Sequence, residues 1–134
     1  MQVKNKVLFD ASALLTVIQE EEGVGKLEEV IPIASISSVN LSEVISVLAR
    51  SGMPRDIITT TIKSSVTEVI PFLQEEAEFA GHLINDTKKF GLSFGDRACI
   101  ATGLIHKLEI YTTDQAWGRL KLNGLKITLA RSCK

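Results

Sequence analysis

Short runs of β-branched and apolar residues alternate along the chain with longer segments of helical periodicity, and this alternation constrains the fold most strongly. The predicted strands cover residues 6–9, 33–37, 67–70, 109–112 and 126–129, and the predicted helices cover residues 12–19, 24–30, 40–50, 54–64, 73–90 and 95–107. Strands that are joined through helices form right-handed crossovers in a parallel sheet with helices on both faces. The pattern therefore predicts the α/β class.

Composition limits the number of domains and the kinds of partner. At 134 residues the chain is too short for two well-buried cores, so we expect a single domain over residues 1–134. Its 15 Lys and Arg against 16 Asp and Glu leave a net charge of −1. Nucleic-acid binding would then need a local arrangement of charge. An aromatic content of 5% argues against a stacking platform for single strands.

Neither a targeting segment nor a cysteine site is expected. Asp10 interrupts the apolar stretch 7–18, no small-residue cleavage site follows it, and the apolar runs are too short to span a membrane. Cys99 and Cys133 do not have the spacing of a metal site. Cys99 lies in an apolar helical run and is expected to be buried, which favours a reducing cytoplasm as the compartment.

Four acidic residues occupy equivalent places in the predicted topology. Asp10 follows the first strand, Glu43 lies one turn into the helix after the second, Asp96 opens the most apolar helix, and Asp114 follows the fourth strand. The strand ends that lead into helices share one edge of a parallel sheet, which is where open α/β sheets bind ligands. The four carboxylates are therefore expected to converge on that edge.

Helix capping is the simpler explanation for each acid taken alone. Asp10, Asp96 and Asp114 fit the N-cap position, and Asn40 with Glu43 resembles a capping box. Capping does not explain why so many junctions carry an acid, since Ser or Asn would cap without mutual repulsion. A carboxylate cluster needs a counter-charge, and a hard divalent cation such as Mg²⁺ or Mn²⁺ supplies one. Such a site suits a phosphate ester as substrate.

The segments that contain these acids resemble the motifs of the PIN-domain family, and within it the VapC-type toxins of bacterial toxin–antitoxin pairs. The segments are LFDASALL at 8–15, ISSVNLSE at 36–43, GLSFGDRA at 91–98 and IYTTDQAW at 110–117. They occur in the order and spacing of the family over nearly the whole chain. Each motif is weak alone, and the ordered set of four is specific.

The resemblance implies an endoribonuclease dependent on Mg²⁺ or Mn²⁺ that cuts structured RNA such as tRNA or rRNA. It also implies a cognate antitoxin as partner and self-association as a homodimer. By position, the acidic quartet would be Asp10, Glu43, Asp96 and Asp114, and the surrounding polar residues would be Ser12, Asn40, Thr112 and Arg97. Some relatives carry another acid shortly after the aspartate of the fourth motif, whereas this chain has Gln115, Ala116 and Trp117 there. The number of metal ions, one or two, therefore stays open.

Two other functions stay open from the sequence. The chain could be a housekeeping PIN nuclease without an antitoxin, or a catalytically silent α/β binding module whose acids are helix caps. The role of Arg97 is also open between a phosphate contact and a structural ion pair.

Overall fold

Five short parallel strands form the sheet of the computed structural model, which describes residues 6–131. The strands are β1 (Val7–Phe9), β2 (Ala34–Ser37), β3 (Glu68–Ile70), β4 (Glu109–Thr112) and β5 (Ile127–Leu129). They lie in the order β3-β2-β1-β4-β5. In the centre, Leu8 of β1 is aligned with Ser35 of β2 and Ile110 of β4. Every residue of β1 is buried, as expected for a central parallel strand covered on both faces.

Helices cover both faces of this sheet. They are α1 (Ala11–Gln19), α2 (Val24–Glu28), α3 (Ser38–Arg50), α4 (Arg55–Lys63), α5 (Gln74–His82), α6 (Ile84–Thr87) and α7 (Phe94–His106), with 3₁₀ helices at Ile31–Ile33, Lys88–Phe90 and Gln115–Arg119. Phe9 belongs to a core that includes Leu14 and Val44, while its neighbour Leu8 belongs to a second core with Ile100. Successive strand residues point to opposite faces, so the two cores lie on opposite sides of the sheet. The predicted α/β class, with a parallel sheet between helices, is confirmed.

The single helix predicted over residues 73–90 is wrong. The chain turns at Leu83, which ends α5 and precedes α6, and a 3₁₀ helix follows at Lys88–Phe90. Gly81 and Asn85 give this segment a weak helix propensity, so packing decides its path. Leu83 and Thr87 are buried, and the Thr87 hydroxyl donates to the Leu83 carbonyl at 2.9 Å.

The predicted apolar helix near residues 95–107 is confirmed as α7, which is buried along most of its length. Cys99 lies within it and is fully buried, as expected. In the part of the chain that is described, no helix is long and apolar enough to cross a membrane. Residues 1–5 and 132–134, which include Cys133 and the two ends of the predicted domain, lie outside the described residues.

Candidate active site at the carboxyl edge of the sheet

Asp10 is held at the end of β1 by hydrogen bonds from two neighbouring elements. Its Oδ1 accepts from the backbone N–H of Ala13 and from the hydroxyl of Ser12, each at 2.8 Å. Its Oδ2 accepts from the hydroxyl of Thr112, the last residue of β4, at 2.6 Å. β1 and β4 are paired in parallel, and therefore their ends bring Asp10 and Thr112 together. The carboxylate is 4% exposed and fixed in orientation.

Asp114 is connected to the same network through Thr112. The Thr112 hydroxyl accepts from the Asp114 backbone N–H at 3.0 Å, and the Ser12 hydroxyl accepts from that of Thr113 at 3.1 Å. The Asp114 side chain is exposed and caps the next 3₁₀ helix by accepting from Ala116 N–H at 3.0 Å. Asp10 and Asp114 therefore act as N-caps, as predicted. Both residues also hydrogen-bond the Thr112 hydroxyl at the carboxyl edge of the sheet.

Glu43 and Asn40 connect α3 to the start of α7. The side-chain amide of the buried Asn40 donates to Glu43 Oε1 at 2.8 Å and to the Gly95 carbonyl at 3.0 Å. The Glu43 carboxylate lies so close to Gly95 that a methyl group there would overlap it. The capping box predicted for Asn40 and Glu43 is wrong, because α3 begins earlier and Ser37 is its N-cap. The two side chains therefore contact Gly95 of α7 and do not cap α3.

Asp96 does not cap α7 in the predicted position. Ser93 is the N-cap, and Asp96 is the third helical residue of a capping box. Its Oδ2 accepts from Ser93 N–H at 2.9 Å, and the Ser93 hydroxyl accepts from Asp96 N–H at 3.2 Å. The half-buried Asp96 is oriented by the start of the helix that also supplies Gly95.

The carboxylates influence one another electrostatically. Burial raises the pKa of Asp10 to about 6, with the charge of Asp96 adding to the effect and the hydrogen bonds to Asp10 opposing it. Burial also raises the pKa of Asp96, and the charge of Asp114 adds to it. Burial raises the pKa of the Cys99 thiol, helped by the charges of Asp10, Asp96 and Glu43. Charge therefore connects Asp10 with Asp96 and Asp96 with Asp114, and the charges of Asp10, Asp96 and Glu43 all reach Cys99.

Within residues 6–131 no basic side chain forms an ion pair with these acids, although the charge of Arg97 lowers the pKa of Asp96. The ion pairs there are Lys6–Glu68, His106–Glu76 and Arg131–Glu21, and none includes a member of the quartet. Arg97 donates from Nε to the Ala80 carbonyl at 3.2 Å and forms no ion pair in the same range. The structural ion pair considered for Arg97 is therefore not formed.

The donor set fits a hard divalent cation in its chemistry. Carboxylate, hydroxyl and amide oxygens are the ligands that Mg²⁺ and Mn²⁺ accept, and the buried Asn40 Oδ1 has no hydrogen-bond partner. With the side chains as placed, no three His, Cys, Asp or Glu residues in the described ranges surround a common point closely enough to hold an ion. Glu43 and Asp114 are exposed, so they are the members of the quartet that the core confines least.

The profile of the PIN domain matches residues 7–122 of the sequence, which includes all four acids. The chain belongs to the PIN-domain family. No curated protein sequence matches it significantly.

Solved structures share the PIN fold over nearly the whole chain. A toxin–antitoxin complex from Klebsiella pneumoniae is 20% identical, with a TM-score of 0.72, covering 96% of this chain and all of the other. A DNA-bound VapBC from Salmonella typhimurium is 17% identical, with a TM-score of 0.73 and coverages of 95% and 99%. VapC20 of Mycobacterium tuberculosis, a toxin that cleaves the sarcin–ricin loop, is 17% identical, with a TM-score of 0.71 and coverages of 90% and 99%.

Two residues at the start of α7 in this PIN domain escaped the sequence analysis. Gly95 gives Glu43 its place against α7, and a glycine at a helix start was the available signal for a close approach. Phe94 is 53% exposed at the first position of α7. An aromatic residue next to Asp96 is an ambiguous signal, because most such side chains are buried.

Proposed function

We propose that this PIN domain is a metal-dependent endoribonuclease of the VapC toxin type, which hydrolyses phosphodiester bonds in structured RNA such as tRNA or rRNA. The observation that carries the proposal is Asp10. This buried carboxylate is oriented by donors from α1 and β4, is affected by the charge of Asp96, and forms no ion pair in the described part of the chain. Its hydrogen bonds leave the pKa raised, and a cation at this edge of the sheet would offset the remaining cost of burying the charge.

Asp10 and Asp96 would hold the ion most directly, and Glu43 and Asp114 would do so directly or through water. A bound Mg²⁺ or Mn²⁺ supplies charge for the phosphate oxygens and lowers the pKa of water. Ser12 and Thr112 keep Asp10 in a fixed orientation by donating to it. Asn40 similarly holds Glu43 beside α7. Polar groups that orient ligands in this way contribute strongly to metal affinity.

A cognate antitoxin is the partner that we propose, together with homodimerisation and a cytoplasmic location. The neighbour from Klebsiella pneumoniae is a toxin–antitoxin complex with the same fold. An antitoxin could insert a Lys or Arg among the four acids, where a charge-assisted hydrogen bond would replace the charge of the metal. Inhibition and metal binding would then compete for the same carboxylates.

The test is cleavage of RNA by the purified protein with Mg²⁺, with Mn²⁺ and with excess EDTA. We expect cleavage with either metal and none with EDTA. Asp10→Asn should lower the rate about a hundredfold or more, because loss of a ligand should cost at least as much as loss of its supporting residues. Asp56→Asn is the matched control, since Asp56 is an exposed acid in the first turn of α4. Full activity in EDTA, or equal rates for the two variants, would contradict the proposal.

A further inference from the structure

Phe94 is an exposed aromatic side chain that is nevertheless held in place. It opens α7 and is 53% exposed. Its ring meets that of Phe72 edge to face, with centroids 5.9 Å apart and planes at 89°. Exposed apolar side chains are common, but this ring is also fixed by its contact with Phe72, so its uncovered surface is held ready for a contact outside the chain.

Arg97 lies beside Phe94, one helical turn further along α7. Its Cζ is 5.9 Å from the centroid of the Phe94 ring, and its Nε is fixed by the Ala80 carbonyl. None of the ion pairs within residues 6–131 involves Arg97. The guanidinium group is thus oriented by uncharged contacts and forms no ion pair there, while its charge lowers the pKa of Asp96.

This pair lies at the same start of α7 as two residues of the carboxylate site. Between Phe94 and Arg97 in the sequence stand Gly95, which contacts Glu43 and accepts from Asn40, and Asp96. An RNA strand held at the acids would therefore pass near the start of α7, which carries the aromatic ring and the guanidinium group.

We propose that Phe94 stacks on an unpaired base next to the scissile bond and that Arg97 contacts a flanking phosphate. The inference rests on the proposed nuclease function and adds a preference for RNA segments whose bases are free to stack. RNA supplies both a π-face and an anion, whereas an apolar protein surface would desolvate Arg97 without compensating its charge. The low aromatic content rules out an extended platform but allows this single ring.

The first experiment measures steady-state cleavage of an RNA hairpin with an unpaired loop by three full-length variants. Phe94→Leu keeps the apolar contact and removes stacking, so KM should rise about tenfold while kcat changes less than about twofold. Phe94→Trp should stay within about twofold of the wild-type KM. Phe79→Leu is the control, because Phe79 is another exposed phenylalanine, 39% exposed, on α5. An unchanged KM for Phe94→Leu would overturn the inference.

The second experiment measures affinity for the same hairpin, labelled with a fluorophore, against salt concentration in EDTA. Arg97→Gln should reduce the slope of log affinity against log salt by about 0.7, the contribution of one single-strand phosphate, whereas Arg97→Lys should preserve it. An identical slope for Arg97→Gln would refute the phosphate contact. If the wild type binds the hairpin but cleaves no RNA, the proposed nuclease fails, and equal affinities of Phe94→Leu and the wild type would separately refute stacking.

Discussion

Asp10 is the residue whose burial most clearly opposes the negative charge that its proposed role in cation binding requires. Three donors satisfy its oxygens, and yet burial beside Asp96 still raises its pKa to about 6. The folded protein without a cation therefore prefers the protonated form more strongly than the unfolded chain does. A cation at this edge would remove that preference.

The stability of the metal-free protein should reflect this raised pKa. The proton on Asp10 stabilises the fold fully below its ordinary pKa of 3.8, and this contribution is lost as the pH rises through about 6. At about 1.4 kcal/mol per pKa unit, the full contribution is about 3 kcal/mol, and the free energy of unfolding should fall by about 2 kcal/mol between pH 4 and 7. Asp10→Asn should lack this decrease. Urea denaturation in EDTA at several pH values measures it, and a pH-independent difference between the two proteins would contradict the prediction.

Among the elements, α7 does most to build the site, because it is buried against the sheet and supplies Asp96 at its exposed end. Its close approach to β4 depends on Gly103. A Cβ built on Gly103 would lie 2.7 Å from Cδ1 of the fully buried Ile110. A side chain at position 103 would therefore displace the buried Ile110 side chain.

Two glycine substitutions should separate helix propensity from packing. Gly103→Ala should destabilise the protein by about 1–3 kcal/mol, since overpacking outweighs the gain of up to about 1 kcal/mol in propensity. Gly81→Ala in α5 should stabilise by up to about 1 kcal/mol, because a Cβ there meets nothing within 4 Å. Denaturation midpoints of both variants test this, and destabilisation by both would show that propensity and local space do not govern these sites.

At the scale of the whole molecule, a nearly neutral chain concentrates four acids at one edge of its sheet. A net charge of −1 gives little long-range attraction to RNA, so binding must rely on groups close to the site. A cation bound only by the folded state would link that edge to global stability by mass action. Metal binding should therefore be measurable without any substrate.

Four thermal melts distinguish a metal-binding Asp96 from one that only caps α7. Asn can still accept from Ser93 N–H, so Asp96→Asn should preserve the cap. In EDTA the variant should be at least as stable as the wild type, because repulsion from Asp10 and Asp114 falls. Millimolar Mg²⁺ should raise the wild-type Tm clearly and that of Asp96→Asn little. Equal responses of the two proteins would remove Asp96 from the proposed site.

The alternation of strands and helices was enough to predict the parallel sheet and the edge at which the acids lie. Both follow from chain direction, since each strand that leads into a helix ends on the same side. Asp10 and Asp114 sit at such strand ends, and therefore their neighbourhood was predictable before any packing was known. The quartet's role as metal ligands stays a prediction.

Only the tertiary structure decided how the other site residues are used. Asn40 contacts Gly95 across 55 positions of sequence, and this contact moves Asn40 and Glu43 from local capping to a link between α3 and α7. The turn at Leu83 likewise depends on the burial of this residue, because the helix propensity of the segment is too weak to determine where the helix ends. Local patterns determine which elements form and in which direction they run. Contacts between distant segments, which depend on packing in three dimensions, determine what each side chain meets.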